Sequence, residues 1–487
     1  MTAPRLTVAE IDLFERDVVL RLPFRFGVVT LTQAPQAFVR VRIASEDGRE
    51  AVGAAAELMV PKWFDKDPAL SNEQNFDQLR TSCALAADAY LSAGPQTAFG
   101  LTAASYHPIR EVAASSGLNR LVAGFGAALI DRAVLDALCR AFDLSVFDAV
   151  SANLPGIEPR PLTPDLAGFG VPGFLSSLTP RARIHARHTV GMLDPLVARD
   201  QDAETRLGDG LPETLEEVVR AYGQRYFKVK MRGEQDADID RLCAIAAVLD
   251  EAAGDYRVTL DGNEQYDDAE SLLALWRAIE AEPRLARFGE AILFIEQPIR
   301  RAAALDCDVT ALAAIRPVIL DESDDGYDTF PAGREKGYRG ISSKACKGLY
   351  KSILNAARCT YWNADPNSDG DGKNYFMSAE DLTCQAGLSV QQDLALVALL
   401  GLGHVERNGH HYVFGMAGAP AAEQAAFRDA HPDLYREIDG RTVLAIDGGE
   451  IAIGSLAGTG FASGAQPDWR AMRAMPCPAT AAALTGT

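Results

Sequence analysis

Three carboxylates, Asp261, Glu296 and Asp321, each close a short apolar run, and lysines stand on both sides of the set. The runs read Val258-Thr259-Leu260-Asp261, Leu293-Phe294-Ile295-Glu296 and Val318-Ile319-Leu320-Asp321. Brought together, three such acids would repel one another and raise each other's pKa, a cost that a bound divalent cation removes. Oxygen-only ligation with room left for water or substrate suits Mg²⁺, with Mn²⁺ second. Upstream, Phe227-Lys228-Val229-Lys230 alternates, so a strand would put both lysines on one face and the apolar pair on the other. Downstream, Gly340-Ile341-Ser342-Ser343-Lys344 ends on a third lysine. Lysine inside a strand is costly unless it is paired or functional. Beside a metal and another cation, and partly desolvated, a lysine is expected to have a lowered pKa and to act as a base near neutral pH. The chemistry indicated is proton transfer next to a bound cation.

Such groups need strands to aim them. Apolar strand candidates fall at 184–192, 226–231, 258–261, 292–296, 318–321, 340–344, a stretch ending near Met377, and 402–406. Helical patterning lies between them, as in Ile239, Leu242, Ile245, Ala246 and Leu249 on one face. Eight strands alternating with helices over about 250 residues point to an α/β fold, a modified (β/α)8 TIM-type barrel whose chemistry sits at the C-terminal strand ends. A doubly wound sheet is the competitor, but no G-x-G-x-x-G follows an early strand, and Gly458-Thr459-Gly460 has the wrong spacing. Before the barrel, alternation at 18–22 and 38–43 reads as antiparallel strands, and helical faces follow at 75–91 and 121–142. The expected organisation is an α+β capping domain over 1–165, a barrel over 166–435, and a tail over 436–487 that rejoins the cap. The prolines of 154–180 read as a winding connection.

Composition bounds the partners. A formal net charge of −20 argues against nucleic acid or an anionic membrane. The apolar stretch near 394–402 is too short to span a bilayer, and the first residues hold no signal-like apolar core. Eight scattered cysteines without a C-x-x-C pair favour reduced thiols in a cytoplasm. Cys346, two residues from Lys344, reads as a packing residue. A small-molecule carboxylate is the expected partner, with no nucleic acid, no membrane, and self-association into a homo-oligomer.

At this point the chain resembles the enolase superfamily, in its muconate-lactonizing-enzyme-like (mandelate racemase/muconate lactonizing enzyme) branch. The residues that carry the likeness are Lys228-Val229-Lys230, Asp261-Gly262-Asn263, Ile295-Glu296-Gln297-Pro298, Asp321-Glu322-Ser323 and Lys344. Pro23-Phe24-Arg25-Phe26-Gly27 and the helix around 133–138 are similar to that family's capping domain. The resemblance implies Mg²⁺ held by Asp261, Glu296 and Asp321, with the substrate carboxylate on the metal. It implies Lys230 and Lys344 on opposite sides of the α-carbon and Lys228 helping to neutralise the carboxylate. An isomerase or lyase is then expected, through an enediolate: racemisation or epimerisation, or dehydration of a hydroxy (sugar) acid, with cycloisomerisation third. No histidine occurs between His188 and His404, so a His/Asp dyad in place of the second lysine is not expected. Lys347 is expected to point away from the strand end, behind Lys344 as a candidate.

Substrate contacts are expected from Arg25 in the capping loop, by that likeness, and from Asn263. Glu380, Asp381 and His410 follow the seventh and eighth strands, where loops face substrate. Trp63 either lines the lid or packs it. Asp365-Pro366-Asn367-Ser368-Asp369-Gly370 matches half a calcium loop, but its twelfth position is Phe376, so a polar turn is the better reading. The rival classes are a lyase barrel with a Schiff-base lysine and a non-catalytic family member.

Overall fold

The computed structural model describes residues 2–26, 29–365 and 374–485, which leaves most of the calcium-like turn outside the described residues. Strands β1 (Leu6–Phe26), β2 (Val29–Ser45) and β3 (Glu50–Leu58) form an antiparallel meander. Alternation decides its faces. Val39, Val41 and Ile43 are buried, while Arg40 and Arg42 lie on the wet side and pair across to Asp12 and Glu10. Helices α1 (Asn72–Ser92), α2 (Ala98–Ser115) and α3 (Arg120–Ala141) pack with the sheet, and α2 has no counterpart among the helices expected from sequence. Ser71 and Gln74 form a capping box on α1, and Asn119 caps α3. At Gly53 a Cβ would lie 2.2 Å from the Ala133 carbonyl oxygen, so only glycine lets β3 approach α3 this closely.

The barrel follows in the expected order: β4 (Arg183–Val190), β5 (Tyr226–Lys230), β6 (Arg257–Asp261), β7 (Ile292–Glu296), β8 (Val318–Leu320), β9 (Gly340–Ser343), β10 (Phe376–Ala379) and β11 (His404–Arg407). Neighbours pair in parallel and β11 returns to β4, closing the ring. Phe227, Val229, Val258, Leu260, Leu320 and Ile341 belong to the core between strands and helices. The alternate residues therefore fill the barrel. Its lower interior is aromatic: Tyr226 stacks on His185 at 4.8 Å and on His404 at 5.0 Å, and Phe294 meets Phe376 at 5.6 Å. Above that plug the lining turns ionic.

In the tail, β12 (Tyr435–Ile438) and β13 (Arg441–Leu444) form a hairpin, and β14 (Glu450–Ala452) runs antiparallel to β4 of the barrel. Only β15 (Arg473–Ala474) returns to the capping sheet, on β1. All eight cysteines are free, with Cys346 buried. Among the described residues no helix is long and apolar enough to cross a membrane.

Candidate active site

Strand ends set the geometry. Asp261 and Glu296 close β6 and β7 in register with one another, and Lys230 of β5 is in register with Asp261. Asp321 and Lys344 stand one residue beyond β8 and β9. All five are buried. Each acid meets a lysine: Lys230 Nζ lies 2.6 Å from Asp261, and Lys344 Nζ lies 2.6 Å from Asp321. Lys228 Nζ sits deeper, 3.0 Å from Asp261, 2.8 Å from Glu296, and 2.9 Å from both Glu380 and Glu406. Lys347 turns back rather than away. The short 3-10 turn Ala345–Lys347 returns its ammonium to Asp321 at 3.2 Å, Ser342 Oγ at 2.6 Å and Asp324 at 3.1 Å.

These pairings reverse one expectation about the lysines. Burial alone would lower the Lys344 pKa, but the charge of Asp321 overrides it and the ammonium ends well above its usual range. Lys228 behaves the same way: burial opposes the charge, and Asp261, Glu296, Glu380 and Glu406 together hold it protonated. Among the acids, burial raises Asp321 but Lys344 and Lys347 pull it well below the carboxylate range. Glu406 is likewise held low, chiefly by Lys228 against burial. Two acids are left over. Burial, then the charges of Asp261 and Glu380, pushes Glu296 well up. Burial, then Asp321, pushes Glu322 up to about 7.

That surplus of negative charge is what a divalent ion would meet. Glu296 faces Lys228 with both oxygens, but only Oε1 receives a directed hydrogen bond, and Oε2 is a buried orphan. The donors are hard carboxylate oxygens throughout, which fits Mg²⁺ or Mn²⁺ by chemistry. As the side chains stand, lysine ammoniums are the counter-ions, and among the described residues no three Asp, Glu, His or Cys groups converge as a ready cage. The residues fit; loading a cation requires the lysines to give up their acids.

Above the ions lies a small cleft between the barrel mouth and the cap. Lys230, Lys344, Asp321 and Glu406 line its floor, and Phe24, Phe26, Val60 and Trp63 of the cap form its roof. Trp63 is part of the lid itself: its ring centre lies 4.4 Å from Lys344 Nζ. Arg301 and Glu264 anchor this segment, because Arg301 donates to the Trp63 and Phe64 carbonyls and pairs with Glu264 at 2.8 Å. Of the expected substrate contacts, Asn263 and Asp381 line the cavity. Asp381 is already engaged, accepting from Arg407 and from the backbone N–H groups of Cys384 and Asn408. Three others stand elsewhere. Arg25 is exposed, because strand alternation turns Phe24 and Phe26 inward and Arg25 out. Glu380 sits below the mouth, bound to Arg187, Ser378 and Lys228. The ring of His410 packs against His188 and Tyr222 on the outer side of β4.

Sequence reading passed over several members of this site. Arg187 is fully buried and donates to the Ala379 carbonyl as well as to Glu380, and the Thr189 hydroxyl donates to Glu406 at 2.7 Å. The signal was present: Arg187 and Thr189 alternate along β4 as the lysines do along β5. Asn408, in the loop after the eighth strand where the sequence places substrate-facing residues, lines the cavity, and Glu322 of the Asp321-Glu322-Ser323 motif receives the Asn263 amide at 3.3 Å.

No family model matches this chain, and no curated protein matches it. Solved structures do. The muconate lactonizing enzyme of Pseudomonas fluorescens, complexed with muconolactone, superposes with a TM-score of 0.58 at 17% identity, covering 96% of this chain and 98% of that one. An unknown member of the enolase superfamily from Enterococcus faecalis gives 0.56 at 15%, covering 96% of each. The L-Ala-D/L-Glu epimerase of Bacillus subtilis, in a substrate-liganded complex, gives 0.53 at 16%, covering 90% of this chain and 96% of its own. At such identities the likeness is one of fold. The fold is the one these solved structures share.

Proposed function

We propose that this protein is a Mg²⁺-dependent enzyme that removes the proton α to a substrate carboxylate and returns one, as a racemase or epimerase. One observation carries this reading. Lys230 comes from the second barrel strand and Lys344 from the end of the sixth, four strands apart in a closed ring of eight, and both line one cavity. Amines on opposite walls can address opposite faces of one carbon.

Asp261, Glu296 and Asp321 would hold the ion. When bound, it would supply the positive charge that makes an α-proton acidic enough to move, and would take over the Asp321 charge that otherwise keeps Lys344 protonated. Lys230 or Lys344 then accepts the proton from its own side while the other donates. Lys228, pinned beneath them, remains a fixed cation facing the carboxylate end. The aromatic roof keeps bulk water off the reacting carbon, so a lysine rather than solvent returns the proton, and the lysines exchange their protons with water between turnovers. Each acid–base group of this kind contributes roughly 10²–10⁴ in rate.

The class is supported by neighbours that include an epimerase and lactonizing enzymes. Dehydration of a hydroxy acid is the second reading, since Asn263, Thr383 and Asn408 line the same cavity and could meet substrate hydroxyls. A Schiff-base route needs a neutral lysine, and the acids around Lys228 and Lys344 favour the ammonium. The test is α-proton exchange in deuterated solvent across a carboxylic-acid library, with metal and after chelation. Lys230→Ala and Lys344→Ala should each abolish exchange with one enantiomer and spare the other. Equal loss for both enantiomers in either variant, or full exchange in a chelator, would end the proposal.

A further inference from the structure

We infer that a second cleft, between α2, α3 and the barrel, binds phosphate or a small phosphate monoester, and that its occupancy is linked to cation loading at Asp321. The linkage rests on the metal reading proposed above; the cleft does not. Two hollows share Tyr106, Arg110, Arg120 and Tyr327 and so form one cleft, which opens outward beside Pro161 and Leu162. It has no lining residue in common with the cavity at the barrel mouth. The loop after β8 contributes Asp324 to its inner wall, and the segment after β9 contributes Lys347, Gly348 and Lys351.

Three features of the cleft suit an oxyanion. Arg110 is a half-buried cation without a carboxylate: among the described residues it donates only to the Asp325 carbonyl, and it lies 4.4 Å from the Tyr106 ring centre. Lys351 is buried, and its one carboxylate, Asp324 at 2.9 Å, is shared with Lys347 at 3.1 Å. Burial, helped by the charges of Lys347 and Arg110, outweighs Asp324 and brings Lys351 down to about 8, so positive charge here is short of a counter-ion. The helix Leu349–Asn363 begins at Gly348 with no side-chain cap, which leaves its first-turn N–H groups for a ligand. Room is left beside these donors. A Cβ at Gly348 would meet only the Lys351 Cβ, at 3.9 Å, and one at Gly124 of α3 would meet nothing within 4 Å. The acids nearby are engaged or at the rim: Asp325 and Asp328 pair with Arg120, Asp131 accepts from Tyr90 and Thr102, and Glu111 is exposed. A guanidinium, an ammonium and backbone N–H groups converging from different walls match a tetrahedral phosphate better than a planar carboxylate.

The same ions lead to the active site. Lys347 is held by Asp324 on one side and by Asp321, at 3.2 Å, on the other. An anion that takes Lys351 leaves Asp324 to Lys347 alone and draws that ammonium off Asp321. Asp321 is then freer to meet a cation, and a cation there must tighten the cleft in return.

Calorimetry on the full-length protein, stripped of metal and then titrated with Mg²⁺, tests the two parts separately. Inorganic phosphate and phenyl phosphate should bind the metal-free protein, and benzoate should bind more weakly. Arg110→Gln and Lys351→Met should each weaken phosphate about 10- to 100-fold. No saturable phosphate binding, an affinity unaltered in Arg110→Gln, or benzoate binding as tightly as phenyl phosphate overturns the site. Phenyl phosphate should tighten Mg²⁺ about fivefold or more in the parent and leave it unchanged in Arg110→Gln. Phosphate binding that leaves the parent's Mg²⁺ affinity as it was overturns the linkage. Intact phosphate binding in a protein that takes up no Mg²⁺ would sink the metal reading and leave the cleft standing.

Discussion

Replacing Lys228 with methionine tests the ionic floor of the barrel directly. Its ammonium lies 2.8–3.0 Å from four carboxylates, all fully buried. At an effective dielectric of about 20, each charged contact at that range is worth roughly 5–6 kcal/mol of attraction, before the cost of burying the ions. Removing one partner of a buried pair typically costs about 3–5 kcal/mol. The orphaned acids have one escape, which is to take up protons. For a carboxyl with an ordinary value near ~4.3, that costs about 5 kcal/mol at pH 8 and about 1 kcal/mol at pH 5. Asp261 and Glu406 are held below their usual values against burial, largely by Lys228. Acids with depressed values stabilise the fold above their unfolded pKa and lose that contribution as pH falls through the folded one. The penalty in Lys228→Met should therefore be about 3–5 kcal/mol at pH 8 and shrink to about 1 kcal/mol near pH 5. Hydrogen exchange of the β5, β10 and β11 amides, in a chelator, reads it strand by strand. A loss below about 1 kcal/mol at pH 8, or the same loss at both pH values, would refute this account of the floor.

Three further outcomes follow from the same structure. Asp131 in α3 is buried, accepting from Tyr90 at 2.5 Å and Thr102 at 2.7 Å, and burial pushes it up to about 7 against those bonds. A raised acid makes stability fall as pH rises from about 4 to 7, by roughly 3–4 kcal/mol; Asp131→Asn should flatten that slope in urea titrations, and an unchanged slope would contradict the assignment. Arg25→Ala should leave exchange kinetics unaltered because the side chain is exposed, whereas Trp63→Ala should lower kcat/KM about tenfold through loss of the Lys344 contact and of the roof. Gly53→Ala should destabilise the cap by about 3 kcal/mol or more, since the nearest atoms are α3 backbone and cannot swing aside; a thermal midpoint equal to the parent's would mean that β3 and α3 separate freely.

Much of this protein was legible in one dimension because its signals are local. A parallel barrel strand is short, apolar on its outer face and followed by a helix, so the eight strands could be marked from composition and spacing alone. The K-x-K alternation and the acids at strand ends belong to the same register, and the structure brings them together inside the barrel, with Lys230, Lys344 and Asp321 at its mouth and Lys228 beneath them. The helix α2 went unmarked because it carries an internal Pro108 and a patchy apolar face. Sequence distance hid the rest. Nothing near Lys228 announces that Glu380 and Glu406, more than 150 residues on, will share its ammonium. Nothing near Arg25 says which way it faces until β1 is paired with β2 and its phenylalanines are turned under the cap.

The amino-acid order by itself determined the architecture and the kinds of group that could do chemistry here, since hydrophobic period and side-chain type are properties of the chain. Tertiary structure alone decided which charges neutralise one another, which lysines stay protonated, and which polar atoms are left for a ligand. Those depend on distances and desolvation between residues far apart in sequence, and a pKa or an orphaned carbonyl exists only once such neighbours are fixed.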